Sequence, residues 1–129
     1  MTTEQPTKAM LWAGRGISAL PVLALVMSSA MKLSHQPAVV EGFQKMGYPA
    51  GALTPIGAAE LLCAVLYAVP QTAVLGAALM TAYLGGAVAT HVHAGEGFAA
   101  PIIVAVLAWA GLLLREPRLR ALLPLRKLT

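Results

Sequence analysis

The sequence predicts an all-α integral membrane protein, a single domain over residues 1–129 in which four membrane-crossing helices form a bundle. Three observations predict this class. Four apolar blocks, each about as long as a bilayer crossing, fill most of the chain. Of its residues, 58% are hydrophobic and 11% charged, whereas soluble domains carry about 25% charged residues. Ionisable residues lie only near the ends of the blocks, except Arg15 and Glu60.

The first crossing is predicted over residues 10–31. It contains Pro21, which is tolerated in lipid because neighbouring helices can satisfy the freed carbonyl group. Its basic start and the small residues 28–30 also resemble a cleaved signal peptide. The apolar stretch is long for that role and three more crossings follow, so a retained helix is favoured.

A short helix is predicted between the first and second crossings, over residues 37–46. Pro37 suits a first helical turn and Gly47 suits a helix end. One face would carry Val39, Val40, Phe43 and Met46, and the opposite face Glu41, Gln44 and Lys45. This amphipathic pattern is typical of a helix in the membrane interface, with Tyr48 at headgroup level.

The remaining crossings are predicted over residues 53–69, 72–91 and 98–114. Pro70 ends the second, and because only Pro70 and Gln71 separate it from the third, these two helices must be antiparallel. The third is rich in small residues, which permit close packing in lipid and favour self-association or a partner membrane protein. Those residues are Gly76, Ala77, Ala78, Gly85, Gly86, Ala87 and Ala89.

The distribution of Lys and Arg predicts that both termini are cytoplasmic. An even number of crossings places both ends on one side of the membrane. That side would hold Lys8, Arg15, Arg115, Arg118, Arg120, Arg126 and Lys127, and the other side only Lys32 and Lys45. Cytoplasmic loops carry the excess of basic residues. The basic tail therefore indicates the lipid surface, and nothing accompanies it that indicates a nucleic-acid partner.

Glu60 is the first candidate for a functional residue. It lies about 10 Å below the outer surface, at about 1.5 Å per residue. A charged carboxylate at that depth costs several kcal/mol unless it is paired or hydrated, so Glu60 is expected to face the bundle interior. Helical spacing places Gly57, Cys63, Ala64 and Tyr67 on the same face.

Polar residues of the other crossings converge on the same outer half of the bundle. They are Lys32, Ser28 and Ser29 on the first crossing and Tyr83, Thr90, His91 and His93 on the third, with Trp109 as packing or as a pocket wall. We therefore expect an outward-facing polar pocket around Glu60. Glu60 and Lys32 are either a structural ion pair or part of a ligand-binding or catalytic site, and the sequence leaves both open.

The histidines allow two interpretations. His91, His93 and Glu96 resemble a metal cluster, but residues two apart on a regular helix point about 200° apart. The favoured interpretation is that the histidines are interfacial, with one hydrogen-bonded to Glu60, and that no metal is bound. Arg15 is expected to reach the cytoplasmic headgroups, with an inner-leaflet anion site as the alternative. The one cysteine, Cys63, provides no redox pair.

Five ordered stretches carry a resemblance to a known family. They are residues 28–33 (SSAMKL), 42–49 (GFQKMGYP), 57–62 (GAAELL), 81–91 (TAYLGGAVATH) and 115–120 (REPRLR), with Trp109 before the last. Over about residues 10–125 the chain resembles the DoxX-like family of small bacterial membrane proteins. The resemblance implies a four-helix bundle in the cytoplasmic (inner) membrane, and the family's Lys, Glu and His positions match Lys32, Glu60 and His91.

The resemblance implies no particular reaction. The family name comes from a subunit associated with a thiosulfate:quinone oxidoreductase, and more distant relatives act in trafficking or receptor assembly. One hypothesis is a protein that binds a small lipophilic molecule, a quinone or a lipid, or that supports a partner membrane protein. The other is a small enzyme in which Glu60 is a general base and Lys32 or His91 its partner, acting by isomerisation, ring opening or quinone reduction.

Overall fold

The computed structural model describes residues 5–126 and 128, and within them the secondary structure is entirely helical. The six α-helices are α1 (Lys8–Leu33), α2 (Pro37–Lys45), α3 (Leu53–Ala68), α4 (Ala73–His93), α5 (Ala99–Arg115) and α6 (Pro117–Arg120). Short 3₁₀ turns at Ala50–Ala52 and Pro70–Thr72 precede α3 and α4. The all-helical prediction is confirmed, and the predicted boundaries agree with the observed ones to within two residues.

Local signals explain where the first helix begins and ends. The Thr7 side chain accepts a hydrogen bond from the backbone N–H of Met10 at 3.1 Å and so caps α1. The helix therefore begins at Lys8, two residues before the predicted start. At the other end the backbone N–H of Ser34 still bonds to Ala30. Pro21 lies buried within α1, which continues through it as a single helix.

The four longest helices pack side by side in a ring. α1 contacts α3 and α5, and α4 contacts the same two helices. Glycines allow the closest approaches. A Cβ atom at Gly76 of α4 would collide with the backbone of Tyr67 in α3, and one at Gly14 of α1 would lie 2.8 Å from the carbonyl oxygen of Gly111 in α5. Small residues at such crossings are typical of helix packing in lipid.

The outer surface of the ring is apolar. Leu23, Met27, Leu62 and Val106 are among many large apolar side chains that stay more than half exposed. Three segments are long and apolar enough to cross a membrane: Lys8–Leu33, Ala50–Ala68 and Pro70–His93. The fourth apolar helix, α5, is shorter at 17 residues.

Tyr67 is the polar centre of the core. Its ring is fully buried, and its hydroxyl group is hydrogen-bonded to Ser18 Oγ at 2.9 Å and to the carbonyl oxygen of Ala108 at 2.6 Å. These two bonds link α3 to α1 and α5.

Replacing Tyr67 with phenylalanine is expected to lower the free energy of unfolding by about 1–2 kcal/mol, because the buried Ser18 hydroxyl loses its partner while the ring packing is kept. Denaturation in mixed micelles, followed by far-UV circular dichroism, measures this. An unchanged midpoint would show that the two bonds do not stabilise the bundle.

Candidate functional site

A buried ionic network links the three helices that meet near the end of α1. The Glu60 side chain is 2% exposed, and its Oε2 atom accepts a hydrogen bond from Lys32 Nζ at 2.7 Å. Tyr83 donates its hydroxyl proton to the same oxygen. Lys32 also donates to Ser28 Oγ. The Glu60 carboxylate therefore forms hydrogen bonds with a lysine of α1 and a tyrosine of α4.

Local sequence places these groups together. Ser28 and Lys32 are four residues apart on α1, so they lie one above the other on one face. Gly57 lies one turn before Glu60 on α3, and a Cβ atom there would be 3.1 Å from Lys32 Cβ. The glycine thus lets α1 approach α3 closely enough for Lys32 to reach the carboxylate. The remaining buried residues of α3 include Cys63, Ala64 and Tyr67, as the helical spacing predicted.

A cavity of about 600 Å³ lies directly beside this network and is here called the Lys32 pocket. Its polar wall consists of Ser28, Lys32, Tyr48, Tyr83, Thr90 and His91. Its apolar wall consists of Val39, Phe43, Met46, Ile56, Ala82 and Ala87, with Gly42 and Gly86. The lining is thus mainly apolar with a few polar groups, which is the usual composition of a small-molecule site.

Helix α2 covers the pocket. Its apolar face, with Phe43, points toward the bundle, and the Lys32 ammonium lies 5.9 Å from the Phe43 ring centroid. The chain after α2 is tied to α4 by a 2.7 Å hydrogen bond between the hydroxyl groups of Tyr48 and Thr90. The amphipathic pattern of residues 37–46 therefore supplies a wall of the site.

A count of hydrogen bonds shows what the pocket offers a ligand. The Lys32 ammonium has three N–H donors, of which Ser28 and Glu60 accept two. His91 Nδ1 lies 2.6 Å from the carbonyl oxygen of Ala87. Because a carbonyl only accepts, Nδ1 carries the proton, and in the neutral ring Nε2 remains an acceptor. Among the described residues, Lys32 thus keeps one N–H group without an acceptor, and the neutral form of His91 keeps one ring nitrogen without a donor.

The structure brings together five of the predicted site residues on the pocket wall: Ser28, Lys32, Tyr83, Thr90 and His91. Glu60 lies behind Lys32 and Tyr83 and is not part of the wall.

Three predicted residues lie elsewhere. Ser29 is buried and donates to the carbonyl oxygen of Val26. Trp109 donates its indole N–H to Thr81 Oγ1 at 2.7 Å. His93 is exposed near the end of α4.

The structure places the histidines differently from the prediction in two details. No histidine bonds to Glu60 in the described residues, because Tyr83 takes that place and His91 bonds to its own helix backbone. His91, and not His93, lies on the pocket wall. Viewed along the axis of α4, the side chains of His91 and His93 point at similar angles on opposite sides of Tyr83. Helical spacing therefore does not choose between them, and the position of α2 decides which one faces the cavity. Among residues 5–126 no His, Cys, Asp and Glu side chains cluster as a metal site.

Sequence reasoning missed several wall residues, among them Tyr48, Phe43 and Ile56. The signal for the first two was present, since the apolar face of the short helix needed an apolar partner. The sequence pattern predicts that this apolar face contacts the membrane interface, and the structure shows that part of the face covers the pocket. No feature of the sequence indicated Ile56 as a pocket residue, because any apolar residue of α3 about one turn before Glu60 could form that part of the lining.

Apolar outer faces together with ionisable side chains paired inside the ring define an all-helical integral membrane protein. The sequence identifies it further. Residues 16–111 match the DoxX-like family, and the chain belongs to that family. No curated protein and no solved structure matches the chain significantly.

Proposed function

We propose that this member of the DoxX-like family crosses the bacterial cytoplasmic membrane four times, with α1, α3, α4 and α5 as the crossings. At about 1.5 Å per residue the 17 residues of α5 span about 25 Å, enough for most of the hydrocarbon core. Both termini are then cytoplasmic by the distribution of Lys and Arg. The Lys32 pocket opens toward the outer surface, and α2 lies in the outer interface as its cover.

The function that the geometry supports best is binding of a small lipophilic molecule in the Lys32 pocket. The observation that carries this proposal is the position of Lys32, which lines a mainly apolar cavity and has one N–H group without an acceptor among the described residues. An apolar body would pack on Phe43, Met46 and Ile56. A carbonyl oxygen would accept from Lys32, and a hydroxyl group would donate to His91 Nε2. A quinone supplies the carbonyl oxygen and its reduced form, the quinol, supplies the hydroxyl group, whereas a lipid carbonyl ester supplies only the first.

The arrangement favours binding over acid–base catalysis by Glu60. The carboxylate oxygen that accepts from Lys32 also accepts from Tyr83, and both side chains stand between Glu60 and the cavity. Glu60 is thus placed to position these two side chains and to balance the lysine charge. Lys32 and His91 are the groups that would touch the ligand.

The pocket can be filled without disturbing the ion pair. Gly86 lies on the pocket wall, and a Cβ atom there meets nothing within 4 Å. We expect Gly86→Leu to weaken binding of a decyl-chain benzoquinone at least tenfold, because the leucine occupies the ligand's space. Gly85→Leu is the matched control, since Gly85 is the adjacent residue of α4, is equally unobstructed and lies outside the pocket.

The measurement is the rise in unfolding temperature of each variant as the quinone is added in detergent, since a ligand of the folded state stabilises by mass action. The wild type and Gly85→Leu should shift equally, and Gly86→Leu much less. Equal shifts in all three would show that the quinone binds elsewhere. No shift in the wild type would exclude a quinone as the ligand.

A further inference from the structure

A second cavity lies at the other end of α1 from the Lys32 pocket. It has a volume of about 260 Å³ and is here called the Arg115 pocket. Its polar residues are Arg15 and Ser18 of α1, Tyr67 of α3 and Arg115 of α5. Arg15 precedes Lys32 on α1 by about 25 Å, at about 1.5 Å per residue. The two cavities are therefore separate sites near opposite ends of the bundle.

The Arg115 guanidinium group has donors without acceptors. Its Nε and Nη2 atoms are both buried, and neither has a hydrogen-bond partner among the described residues. Buried donors without a partner are costly, and more so when they carry a charge. The group is held in position, since its Cζ atom lies 5.4 Å from the Tyr67 ring centroid and its stem packs against Gly14.

The charge around this cavity is unbalanced. Arg15 stacks on Trp12, with Cζ 5.0 Å from the ring centroid. The ion pairs of the described residues are Lys32–Glu60 and Lys45–Glu41, so neither arginine of the cavity is neutralised there. Glu116 is the acidic residue closest to Arg115 in the sequence, and its Oε1 atom accepts a hydrogen bond from the backbone N–H of Arg118. A cavity lined by two guanidinium groups, neither paired with a carboxylate among the described residues, favours the binding of an anion.

The rest of the wall is apolar. Ala19 and Val22 continue it along α1, and Ala68 along α3. Ala19 and Ala68 are exposed, so the cavity borders the lipid-facing seam between α1 and α3. Arginine side chains next to an apolar seam are complementary to a negatively charged headgroup that carries an acyl chain.

We propose that the Arg115 pocket binds a phosphate group, with Arg115 donating from its fork of N–H groups and Arg15 adding a second positive charge. Arginine suits this role because its planar donors match phosphate oxygens in pairs. The apolar seam makes an anionic phospholipid headgroup the fitting source of the phosphate. A free phosphate ion has the same head chemistry without the acyl chain. The site does not depend on what occupies the Lys32 pocket.

The test compares Arg115→Gln and Arg15→Gln with Arg118→Gln in dodecyl maltoside. Arg118 is exposed and outside the cavity, so its variant removes the same charge from the same end of the protein. Arg15 is exposed too, so Arg15→Gln keeps the test decisive where Arg115→Gln fails to fold. The probes are dioleoyl phosphatidylglycerol, dioleoylglycerol and inorganic phosphate, and the readouts are native mass spectrometry and unfolding temperature.

We expect phosphatidylglycerol to bind the wild type and Arg118→Gln with similar affinity and each pocket variant at least fivefold more weakly. Dioleoylglycerol, which lacks the phosphate, should bind none of them specifically. Binding of inorganic phosphate that Arg115→Gln abolishes would also support the site and identify free phosphate as its occupant. Equal weakening in Arg15→Gln and Arg118→Gln, or dioleoylglycerol binding as tight as phosphatidylglycerol binding, would overturn the proposal.

Discussion

Replacing Lys32 with methionine is expected to lower the free energy of unfolding by about 3–5 kcal/mol, the usual effect of removing one partner of a buried ion pair. The Lys32 and Glu60 side chains are 12% and 2% exposed. Without the lysine, the Glu60 carboxyl group keeps only its bond from Tyr83 among the described residues and lies in an apolar environment without a charge partner. Titration with sodium dodecyl sulfate in mixed micelles, followed by circular dichroism, measures the loss.

The exposed ion pair of α2 provides the control. Lys45 lies 3.5 Å from Glu41, and these side chains are 72% and 68% exposed. Surface pairs of this kind contribute about 0–1 kcal/mol, so Lys45→Met should leave the midpoint nearly unchanged. The double variant Lys32→Met with Glu60→Met should recover much of the lost stability, because neither charge of this pair is then left buried without its partner. A double variant as unstable as Lys32→Met alone would contradict an ion pair as the source of the effect.

Gly76→Ala is expected to destabilise the protein by about 3 kcal/mol, at the upper end of the usual cost of overpacking. The added Cβ atom would collide with the backbone nitrogen and Cα of Tyr67. Backbone atoms cannot turn aside as a flexible side chain can, so α3 and α4 would have to separate. Unfolding in mixed micelles measures this cost.

Gly85→Ala is the matched control on the same helix. Its Cβ atom meets nothing within 4 Å, and alanine is favoured over glycine within a helix by about 1 kcal/mol. The control variant should therefore be as stable as the wild type or slightly more so. If both variants shift the midpoint alike, the close contact of α3 and α4 is not present in the folded protein.

The sequence was sufficient to predict the helices, because in lipid the alternation of long apolar blocks with short polar connections leaves few alternatives. It also placed Glu60 inward, since an unpaired carboxylate in hydrocarbon is costly, and named Lys32 as its partner. The close contact of Gly76 with Tyr67 was not predictable, because several glycines of α4 were equally eligible. Only the rotation of each helix selects one.

The candidate site was predictable in part, because the cost of an unpaired carboxylate in hydrocarbon fixes the inward direction of Glu60. Ser28, Lys32 and Tyr83 follow from depth and helical spacing relative to Glu60. The choice between His91 and His93, and the roles of Phe43 and Tyr48, depend on where α2 folds over the bundle. The Arg115 pocket had one signal in the sequence, the intramembrane Arg15, but nothing indicated that an arginine at the end of α5 would meet it.

The most direct test of the Lys32 pocket as a ligand site is identification of the lipophilic molecules that co-purify with the protein from its native membrane. Extracts of the wild type, Gly86→Leu and Gly85→Leu would be compared by mass spectrometry at equal protein amounts. We expect one molecule with a carbonyl or hydroxyl head group, present at about one per chain in the wild type and Gly85→Leu and depleted in Gly86→Leu. The same molecules in the same amounts in all three extracts would contradict it.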